Sequence, residues 1–328
     1  MKTGLKMTDF FQNSNFKKYL YLIFGLIFLF YISTIVDLDA KIIGNIFKEL
    51  NYLSLFIAIL LYLLSHTARV LRLIILNPIS DYSIRGLWRE QYKANGVNLL
   101  LPFKLGESYR LIYFRTFFGS YFNSFAVLLC ERFLDLLIIA IILTTCIFFS
   151  SLSLPSLDYI LFGSLLLLLV IGLVYYSLDE LMLIIHKVFI EKKSNIFNLF
   201  VVNLTSNLLK AIRKIKKILN QKSASCLAVS FLIWSLEISA FFVFFDVLDG
   251  QIDLLIFLAI AVSLSSLLPN GPMGYGGIQL AFYSIGLAAN NPDLINYSVI
   301  YSLFIFGSGL LLAGILFIYD FIKLNNND

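Results

Sequence analysis

Charge is scarce in this 328-residue chain, in which Asp, Glu, Lys and Arg together make up only 14% of the residues. Hydrophobic residues make up 59%, and the mean hydropathy is +0.87. A water-soluble core cannot bury that much apolar surface. The composition therefore excludes a soluble globular protein and predicts a polytopic membrane protein without a separate soluble domain.

Residues that bind metals or carry redox chemistry are also few. The two histidines are His66 and His186, and the three cysteines are Cys130, Cys146 and Cys226, at spacings that match neither a zinc site nor a CxxC pair. We interpret the cysteines as packing residues and the histidines as polar residues near helix ends. The sequence also contains no nucleotide-binding loop. We therefore expect no cofactor and no metal, and we do not expect an enzyme.

Apolar segments of about the 20 residues that a bilayer requires recur along the chain. They predict an all-α helical bundle with about eight membrane segments, two of them broken or re-entrant. We expect a cytoplasmic N-terminus at 1–18, one polytopic membrane domain at 19–320 and a cytoplasmic tail at 321–328, with the first span retained as a helix. The continuous spans are predicted at 19–36, 53–75, 122–150, 158–178, 224–247 and 295–318, and the interrupted ones at 87–103 and 252–289.

The distribution of lysine and arginine predicts the orientation. If the N-terminus is cytoplasmic, only Lys41 and Lys48 fall outside. The basic residues that fall inside are Arg72, Arg85, Arg89, Lys93, Lys104, Arg110, Arg115, those of the loop at 187–222, and Lys323. We therefore expect a multi-pass protein of the cytoplasmic (inner) membrane with both termini in the cytoplasm.

A basic amphipathic helix is predicted at 204–222, within the cytoplasmic loop. Two interpretations of it are open: the helix lies in the membrane interface against anionic headgroups, or its basic residues only follow the positive-inside rule. Its apolar face carries Leu208, Ile212, Ile215 and Leu219, and its basic face carries Lys210, Arg213, Lys214 and Lys217.

Two stretches rich in Pro and Gly interrupt the apolar segments, LPFKLGESYR at 101–110 and LLPNGPMGYGGIQ at 267–279. Irregular backbone at membrane depth is tolerated where protein or a water-filled cavity satisfies its polar groups, and transporters place substrates at such breaks. Ordinary turn chemistry is the alternative. The breaks follow spans that cross in opposite directions, which predicts an inverted repeat. The substrate-binding residues predicted here are Pro102, Gly106, Glu107, Arg110, Pro269, Gly271, Gly274, Gly276 and Gly277.

Charged residues inside the predicted spans add Glu131, Arg132, Asp135 and Glu237 to the candidate substrate site. An unpaired ion in the membrane is costly, so partners are expected. Arg132 and Asp135 are three residues apart and can pair on one helix face, while Arg132 or the N-terminus of a broken helix is the expected donor to Glu237. These residues form either a purely architectural ion network or a polar lining for a charged headgroup, of which a proton relay is a variant.

The run LPFKLGESYRLIYFR, the motif ERFLD at 131–135 and the late run LPNGPMGYGGIQLAF resemble the flippase-like transmembrane domain of bacterial lysylphosphatidylglycerol synthases. They are similar also to free-standing membrane proteins of that superfamily, including archaeal ones linked to lipid-carried glycan assembly. Many relatives carry an Arg-Glu pair after the last glycines, where this chain has Gly277, Ile278 and Gln279. The positions that match the family pattern are Leu101, Pro102, Gly106, Glu107, Arg110, Glu131, Arg132 and Asp135.

The resemblance implies that the protein flips an amphiphilic lipid between leaflets, such as a modified phospholipid or a lipid-linked glycan precursor. The partners expected are a membrane phospholipid or polyprenyl-linked lipid and no nucleic acid. Two alternatives remain open: a non-catalytic partner of a separately encoded synthase or glycosyltransferase, and an integral-membrane lipid transferase with Glu131 or Asp135 as base. Aminoacyl transfer is not expected, because the sequence contains no synthase domain.

Overall fold

The computed structural model describes residues 51–77, 79, 81–101, 106–149, 157–191, 195–245, 252–267, 271, 274–289, 291 and 294–325, with 44, 45 and 48 as isolated positions. The regular structure of these residues is helical throughout. The helices are α1 (Tyr52–Leu76), α2 (Ile84–Leu100), α3 (Gly106–Phe118), α4 (Tyr121–Phe149), α5 (Leu157–Ile190), α6 (Ile196–Gln221), α7 (Ser223–Phe244), α8 (Ile252–Leu267), α9 (Gly277–Ala288) and α10 (Leu294–Asn325).

Four of these helices are long and apolar enough to cross a bilayer, which confirms the predicted polytopic membrane protein. They are α1, α7, the Leu161–Ile190 part of α5 and the Leu294–Asp320 part of α10. The span predicted at 158–178 is too short, since α5 continues to Ile190. The span predicted at 19–36 and the N-terminal segment at 1–18 lie outside the described residues, and α10 extends into the predicted tail.

The two predicted interruptions separate pairs of shorter helices. The first lies between α2 and α3, and the second lies between α8 and α9. Side chains and glycines set several helix limits: Ser83 Oγ accepts a hydrogen bond from Gly86 N at 3.1 Å at the start of α2. Gly119, with φ of 80°, lies between α3 and α4, in a conformation that favours glycine.

Helices α1 and α7 pack against each other along much of their length and run antiparallel. Ser65 on α1 bonds to Glu237 on α7, whereas Arg72, two turns later, bonds to Ser230. Rising residue numbers on one helix therefore meet falling numbers on the other. Ala58 and Phe241 extend the same interface into an apolar cluster.

The contacts among the helices follow the pattern that an inverted repeat requires. If α1 to α4 correspond to α7 to α10, the contacts α1–α2, α2–α3 and α3–α4 have counterparts in α7–α8, α8–α9 and α9–α10. The contact between α2 and α10 likewise has its counterpart between α8 and α4. Because the corresponding helices α1 and α7 are antiparallel, these contacts support the predicted repeat, with α5 and α6 outside it.

Helix α6 is longer than predicted, since it begins at Ile196 rather than at 204. Its apolar face is buried mainly against α4 and α5 rather than left for lipid, and Leu209, not Leu208, belongs to the buried set. The interface-helix interpretation therefore fails for this face, which is occupied by protein. The buried residues of this face are Leu209, Ile212, Ile215 and Leu219, and the exposed basic residues are Lys210, Arg213, Lys214 and Lys217.

The three cysteines are free and pack against apolar clusters. Cys226 is fully buried, and Cys130 and Cys146 are half-buried beside the same or a neighbouring cluster. Their interpretation as packing residues is confirmed.

The interface between α2 and α10 depends on a glycine. Gly96 lies so close to α10 that a Cβ atom placed on it would overlap the Cβ of Ala313, and neither atom belongs to a side chain that can rotate away. On α10 itself, Gly314 has no atom within 4 Å of the position that its Cβ would occupy.

We expect Gly96→Ala to destabilise the protein, because the overlap forces α2 and α10 apart. The expected loss is on the order of 1–3 kcal/mol, against a gain of roughly 0.5–1 kcal/mol in helix propensity. Thermal unfolding of the purified protein in detergent measures this as a lower Tm. Gly314→Ala is the matched control and should keep or raise the Tm; equal Tm values for the two variants would contradict the close packing of Gly96.

Candidate functional site

A buried arginine lies at the centre of a network of ion pairs. Arg72 on α1 is fully buried and donates through Nη1 to Asp135 Oδ1 at 2.8 Å and through Nη2 to Glu131 Oε1 at 3.2 Å, both on α4. Asp135, also fully buried, accepts a further bond from Trp234 Nε1 at 3.1 Å, and Ser230 accepts one from Arg72 at 3.0 Å. This centre joins α1, α4 and α7.

The network continues from Glu131 toward the first break. Arg110 on α3 donates to Glu131 Oε2 at 2.5 Å and to Glu107 Oε2 at 3.3 Å. Glu107 also accepts a hydrogen bond from Arg132, which in turn lies 3.4 Å from Asp135. The predicted pairing of Arg132 with Asp135 is confirmed, and Glu107 brings the start of α3 into the same set of charges.

A second branch pairs α1 with α7. Arg69 Nη2 donates to Glu237 Oε1 at 2.6 Å, and Ser65 Oγ donates to the same oxygen at 3.1 Å. The guanidinium of Arg69 also lies 5.5 Å from the ring centroid of Trp234, which is cation–π distance. The prediction that Arg132 or a broken helix supplies the donor to Glu237 was wrong, because Arg69 faces that carboxylate across the α1–α7 interface.

Charges within this network balance. Among the described residues four arginines face four carboxylates, so removal of a fully buried member such as Arg72 leaves an uncompensated charge away from solvent. Exposure is graded: Arg72 and Asp135 are fully buried, whereas the side chains of Arg132 and Glu107 are 33% and 26% exposed. The members are Arg69, Arg72, Arg110, Arg132, Glu107, Glu131, Asp135 and Glu237.

A cavity of about 190 Å³ lies beside the network. It is large enough for several water molecules or for a small polar headgroup. Three arginines and two glutamates line it, and Glu131 and Asp135 contact the same arginines from behind, so that with Arg72 the described charges around the cavity balance. The residues with polar side chains in the lining are Arg69, Arg110, Arg132, Glu107, Glu237, His66, Gln91, Asn95, Asn98, Ser263, Tyr62 and Tyr301.

Both interrupted segments border this cavity. Asn98 and Leu99 lie just before the first break and Glu107 just after it, and all three line the cavity. Gly271 and Gly274 come from the second break and line it as well. Residues that flank the first break and two glycines of the second, far apart in sequence, thus meet at one polar space.

The structure places most of the predicted site residues in or beside this cavity. Six of them line it, namely Glu107, Arg110, Arg132, Glu237, Gly271 and Gly274. Glu131 and Asp135 lie behind the lining, in the buried part of the network. Gly276 and Gly277 form the start of α9 and are not among the lining residues, and Pro102 and Pro269 lie outside the described residues.

Gly106 has a different role from the one predicted for it. We expected its backbone to approach a ligand, but it approaches α2: a Cβ on Gly106 would lie 2.6 Å from the backbone nitrogen of Asn98 and 2.7 Å from its Cα. Only glycine permits this approach. Gly106 therefore holds the two sides of the first break together.

Two arginines of α1 were not predicted as site residues. Arg72 was counted as a cytoplasmic charge, and Arg69 was overlooked, yet both lie inside α1 and in the network. The signal was available, since Ser65, Arg69 and Arg72 recur at helical spacing within an apolar span. Arg110, which was predicted as a site residue and also counted among the cytoplasmic charges, is buried as well.

The uncharged side of the cavity was missed too. His66 is not at a helix end but in the middle of α1, 6% exposed and facing the cavity. Gln91, Asn95 and Asn98 follow one another at intervals of four and three residues, so one face of α2 presents three amides to the cavity. That stripe was visible in the sequence as helical periodicity of polar residues.

Gln279 has a structural role in the segment where many relatives carry charged residues. Its Oε1 accepts a hydrogen bond from the backbone nitrogen of Gly276 at 2.8 Å, and its Nε2 donates to Ser302 Oγ at 3.1 Å. The side chain therefore fixes the start of α9 and ties that helix to α10. In this chain the second break contributes two glycines to the lining of the cavity. The charged residues of the lining come from α1, α3, α4 and α7.

Residues 20–317 match the family model described as the lysylphosphatidylglycerol synthase TM region. The match covers nearly the whole chain, including both breaks, the ion network and the cavity. No curated protein and no solved structure matches the chain.

We expect Arg72→Met to unfold much of the protein, because it leaves Asp135 and Glu131 buried with one cation too few. Removing one partner of a buried ion pair costs about 3–5 kcal/mol. Size-exclusion chromatography and thermal unfolding in detergent would show less monodisperse protein and a lower Tm.

The control for Arg72→Met is Arg213→Met, which removes an exposed arginine from α6 and should leave both readouts unchanged. The double variant Arg72→Met with Asp135→Leu removes opposite charges and should be more stable than Arg72→Met alone. A wild-type Tm for Arg72→Met would show that the buried pairs contribute little.

Proposed function

Because the chain belongs to the lysylphosphatidylglycerol synthase TM region family, we propose that it translocates an amphiphilic lipid between the leaflets of the cytoplasmic membrane. The observation that carries this proposal is the polar cavity at which the two interrupted segments meet. A cavity of this kind lowers the free energy of a polar headgroup at membrane depth, where an uncompensated charge costs several kcal/mol.

In this mechanism the headgroup occupies the cavity while the hydrocarbon chains remain in the bilayer. The arginines on the cavity wall supply charge-assisted hydrogen bonds to phosphate oxygens. Arg132 and Glu107 are the most exposed members of the ion network, so the headgroup reaches the cavity from their side.

The inverted repeat supports a transport role. In secondary transporters, broken helices from two inverted halves meet near the membrane midplane, and movement of one half against the other exposes the site to each side in turn. The same components are present here: α2 and α3 on one side, α8 and α9 on the other, with α1 and α7 packed between the halves.

The contacts of the acidic residues argue against a lipid transferase. Asp135, the candidate base, accepts hydrogen bonds from Arg72 and Trp234 and does not line the cavity. Glu131 is held by Arg72 and Arg110 in the same way. A general base must reach the proton that it removes, and these carboxylates are committed to arginines instead. We accordingly propose transport without catalysis, with the membrane lipid as the immediate partner.

Basic residues favour a cytoplasmic location for one end of the bundle, and we propose that both termini lie on that side. Although Arg72 and Arg110 are buried, Arg85 and Arg115 remain exposed next to the ends of α2 and α3. The exposed basic face of α6 lies at the same end, since Leu219 packs in one cluster with Leu76.

We expect Arg132→Ala to slow lipid translocation by about tenfold or more while the protein still folds, because it removes one charge-assisted hydrogen bond at the most exposed part of the cavity. The measurement uses proteoliposomes containing fluorescent anionic, aminoacylated or prenyl-phosphate lipids. Protein-dependent transfer between leaflets is followed by quenching from the outside.

Two variants serve as controls for Arg132→Ala. Arg132→Lys keeps the positive charge and should retain more activity than Arg132→Ala. Arg115→Ala removes an exposed arginine that does not line the cavity and should transport like wild type. Transport of no lipid by folded wild-type protein would overturn the proposal. If the yield of folded Arg132→Ala protein falls as much as its transport does, Arg132 has an architectural role.

A further inference from the structure

A second group of ion pairs joins α2 to α10, apart from the residues that line the cavity. Asp320, near the end of α10, accepts a hydrogen bond from Arg89 through one carboxylate oxygen and pairs with Lys93 through the other. Arg89 and Lys93 both lie on α2, and Lys93 Nζ also donates to Glu90 Oε1 at 2.7 Å. Two basic and two acidic side chains therefore balance here. We call these four residues the α2–α10 ion cluster.

Aromatic side chains contact this cluster from two helices. The guanidinium of Arg89 lies 4.8 Å from the ring centroid of Tyr319 on α10, which is cation–π distance. Tyr109 on α3 donates from its hydroxyl to Glu90 Oε2 at 2.6 Å. The cluster thus fixes the two helices on either side of the first break, α2 and α3, to the end of α10.

Dissolved ions can reach part of the cluster. The side chains of Arg89 and Asp320 are each 29% exposed, whereas that of Lys93 is 8% exposed. Arg89 lies near the start of α2 and Asp320 near the end of α10, at the proposed cytoplasmic end of the bundle. Salt weakens ion pairs that are open to water and screens buried pairs much less. The ion pairs of Asp320 therefore depend on ionic strength more than those of Arg72 do.

The cluster joins the two halves of the inverted repeat, since α2 belongs to the first half and α10 to the second. Next to it, Gly96 on α2 packs closely against Ala313 on α10. The same two helices form part of the cavity wall, α2 through Asn95 and α10 through Tyr301. Separation of α2 from α10 therefore opens this wall.

The repeat gives this contact a counterpart between α4 and α8, which also joins the two halves and borders the cavity, through Arg132 and Ala259. It lies toward the other end of the bundle. Leu87 and Val127, near the starts of α2 and α4, pack in one cluster, whereas the cluster that α4 shares with α8 lies at 138–147 of α4. Apolar side chains form this second contact, namely Ile138, Ile139, Leu143 and Ile147 from α4 with Phe257 and Ile260 from α8.

We propose that the α2–α10 ion cluster is a latch that holds the cavity closed toward the end of the bundle where α1 ends, while the α4–α8 contact closes the other side. The inference rests on the proposed function, because a transporter of this kind opens its site to each side in turn. The two closures differ in chemistry. Salt screens the exposed ion pairs of the latch but does not weaken apolar contacts, so high ionic strength opens the latch side alone.

Thiol labelling in membrane vesicles measures the opening on each side separately. Ser263 lines the cavity from α8, and Ser263→Cys places a thiol there. A small membrane-impermeant thiol reagent then reaches the cavity from the proposed cytoplasmic side in inverted vesicles and from the opposite side in right-side-out vesicles. The protein with Ser263 and its three native cysteines unchanged gives the background rate.

We expect Asp320→Asn, combined with Ser263→Cys, to raise the labelling rate severalfold in inverted vesicles and to leave it unchanged in right-side-out vesicles. The physical reason is that Arg89 and Lys93 lose the carboxylate that they share. A high concentration of KCl should have the same one-sided effect without the Asp320 substitution. Asp320→Glu keeps the charge and should keep labelling slow. Glu180→Gln, which removes an exposed carboxylate of α5, is the matched control and should not change either rate.

No increase on either side, with Asp320→Asn or with salt, would overturn the inference, and so would an equal increase on both sides, which indicates general loosening. An increase confined to right-side-out vesicles would support the latch and reverse the proposed orientation. Labelling does not require lipid movement. A latch that opens as expected in a protein that moves no lipid would therefore refute the proposed function alone, and lipid transport without any effect on labelling would refute the latch alone.

Discussion

The structure depends on ion pairing that has been brought into an apolar bundle. Arg72 contacts Asp135 and Glu131 where none of the three side chains reaches solvent to any extent. Desolvating such ions is costly, and the cost is offset only when the partners meet in good geometry. The helices that carry the charges are therefore held to one arrangement: α1 must face α4, and through Glu131 and Arg110 it must also hold α3. The cavity lies next to these helices, so its shape follows from the same constraint.

The two halves of the repeat have the same arrangement of helices but contribute different numbers of charged residues to the network. Helices α1 to α4 provide seven of the eight charges in the network, and Glu237 on α7 is the single contribution from the other half. The second half instead supplies Ser230 and Trp234 as hydrogen-bonding partners of the network, and glycine backbone at its break. Gln279 fits this division, because it fixes α9 to α10 rather than adding charge. The charged network thus lies almost entirely in one half of the repeat.

Much of this arrangement could be predicted from the sequence. The interruptions were evident from Pro and Gly, and the pairing of Arg132 with Asp135 from helical spacing. The partner of Glu237 could not be predicted, because it depends on how α1 is rotated against α7, and only tertiary packing determines that rotation. The prediction that Arg72 is a cytoplasmic charge failed for a related reason. An arginine near the end of an apolar span resembles a residue that flanks the membrane, and only the packing of neighbouring helices shows that it is buried. Gly106 could not be assigned from the sequence either, because a glycine at a break can allow close approach of a ligand or of another helix. The structure shows that the backbone of Asn98 occupies the space next to Gly106.

The proposed translocation requires that a headgroup be bound firmly enough to desolvate it and weakly enough to release it. The network meets both demands because its arginines already have carboxylate partners: Arg69 is paired with Glu237, and Arg110 with Glu131 and Glu107. An arriving phosphate competes with carboxylates for these arginines, so binding exchanges one set of charge-assisted hydrogen bonds for another and its net free energy stays small.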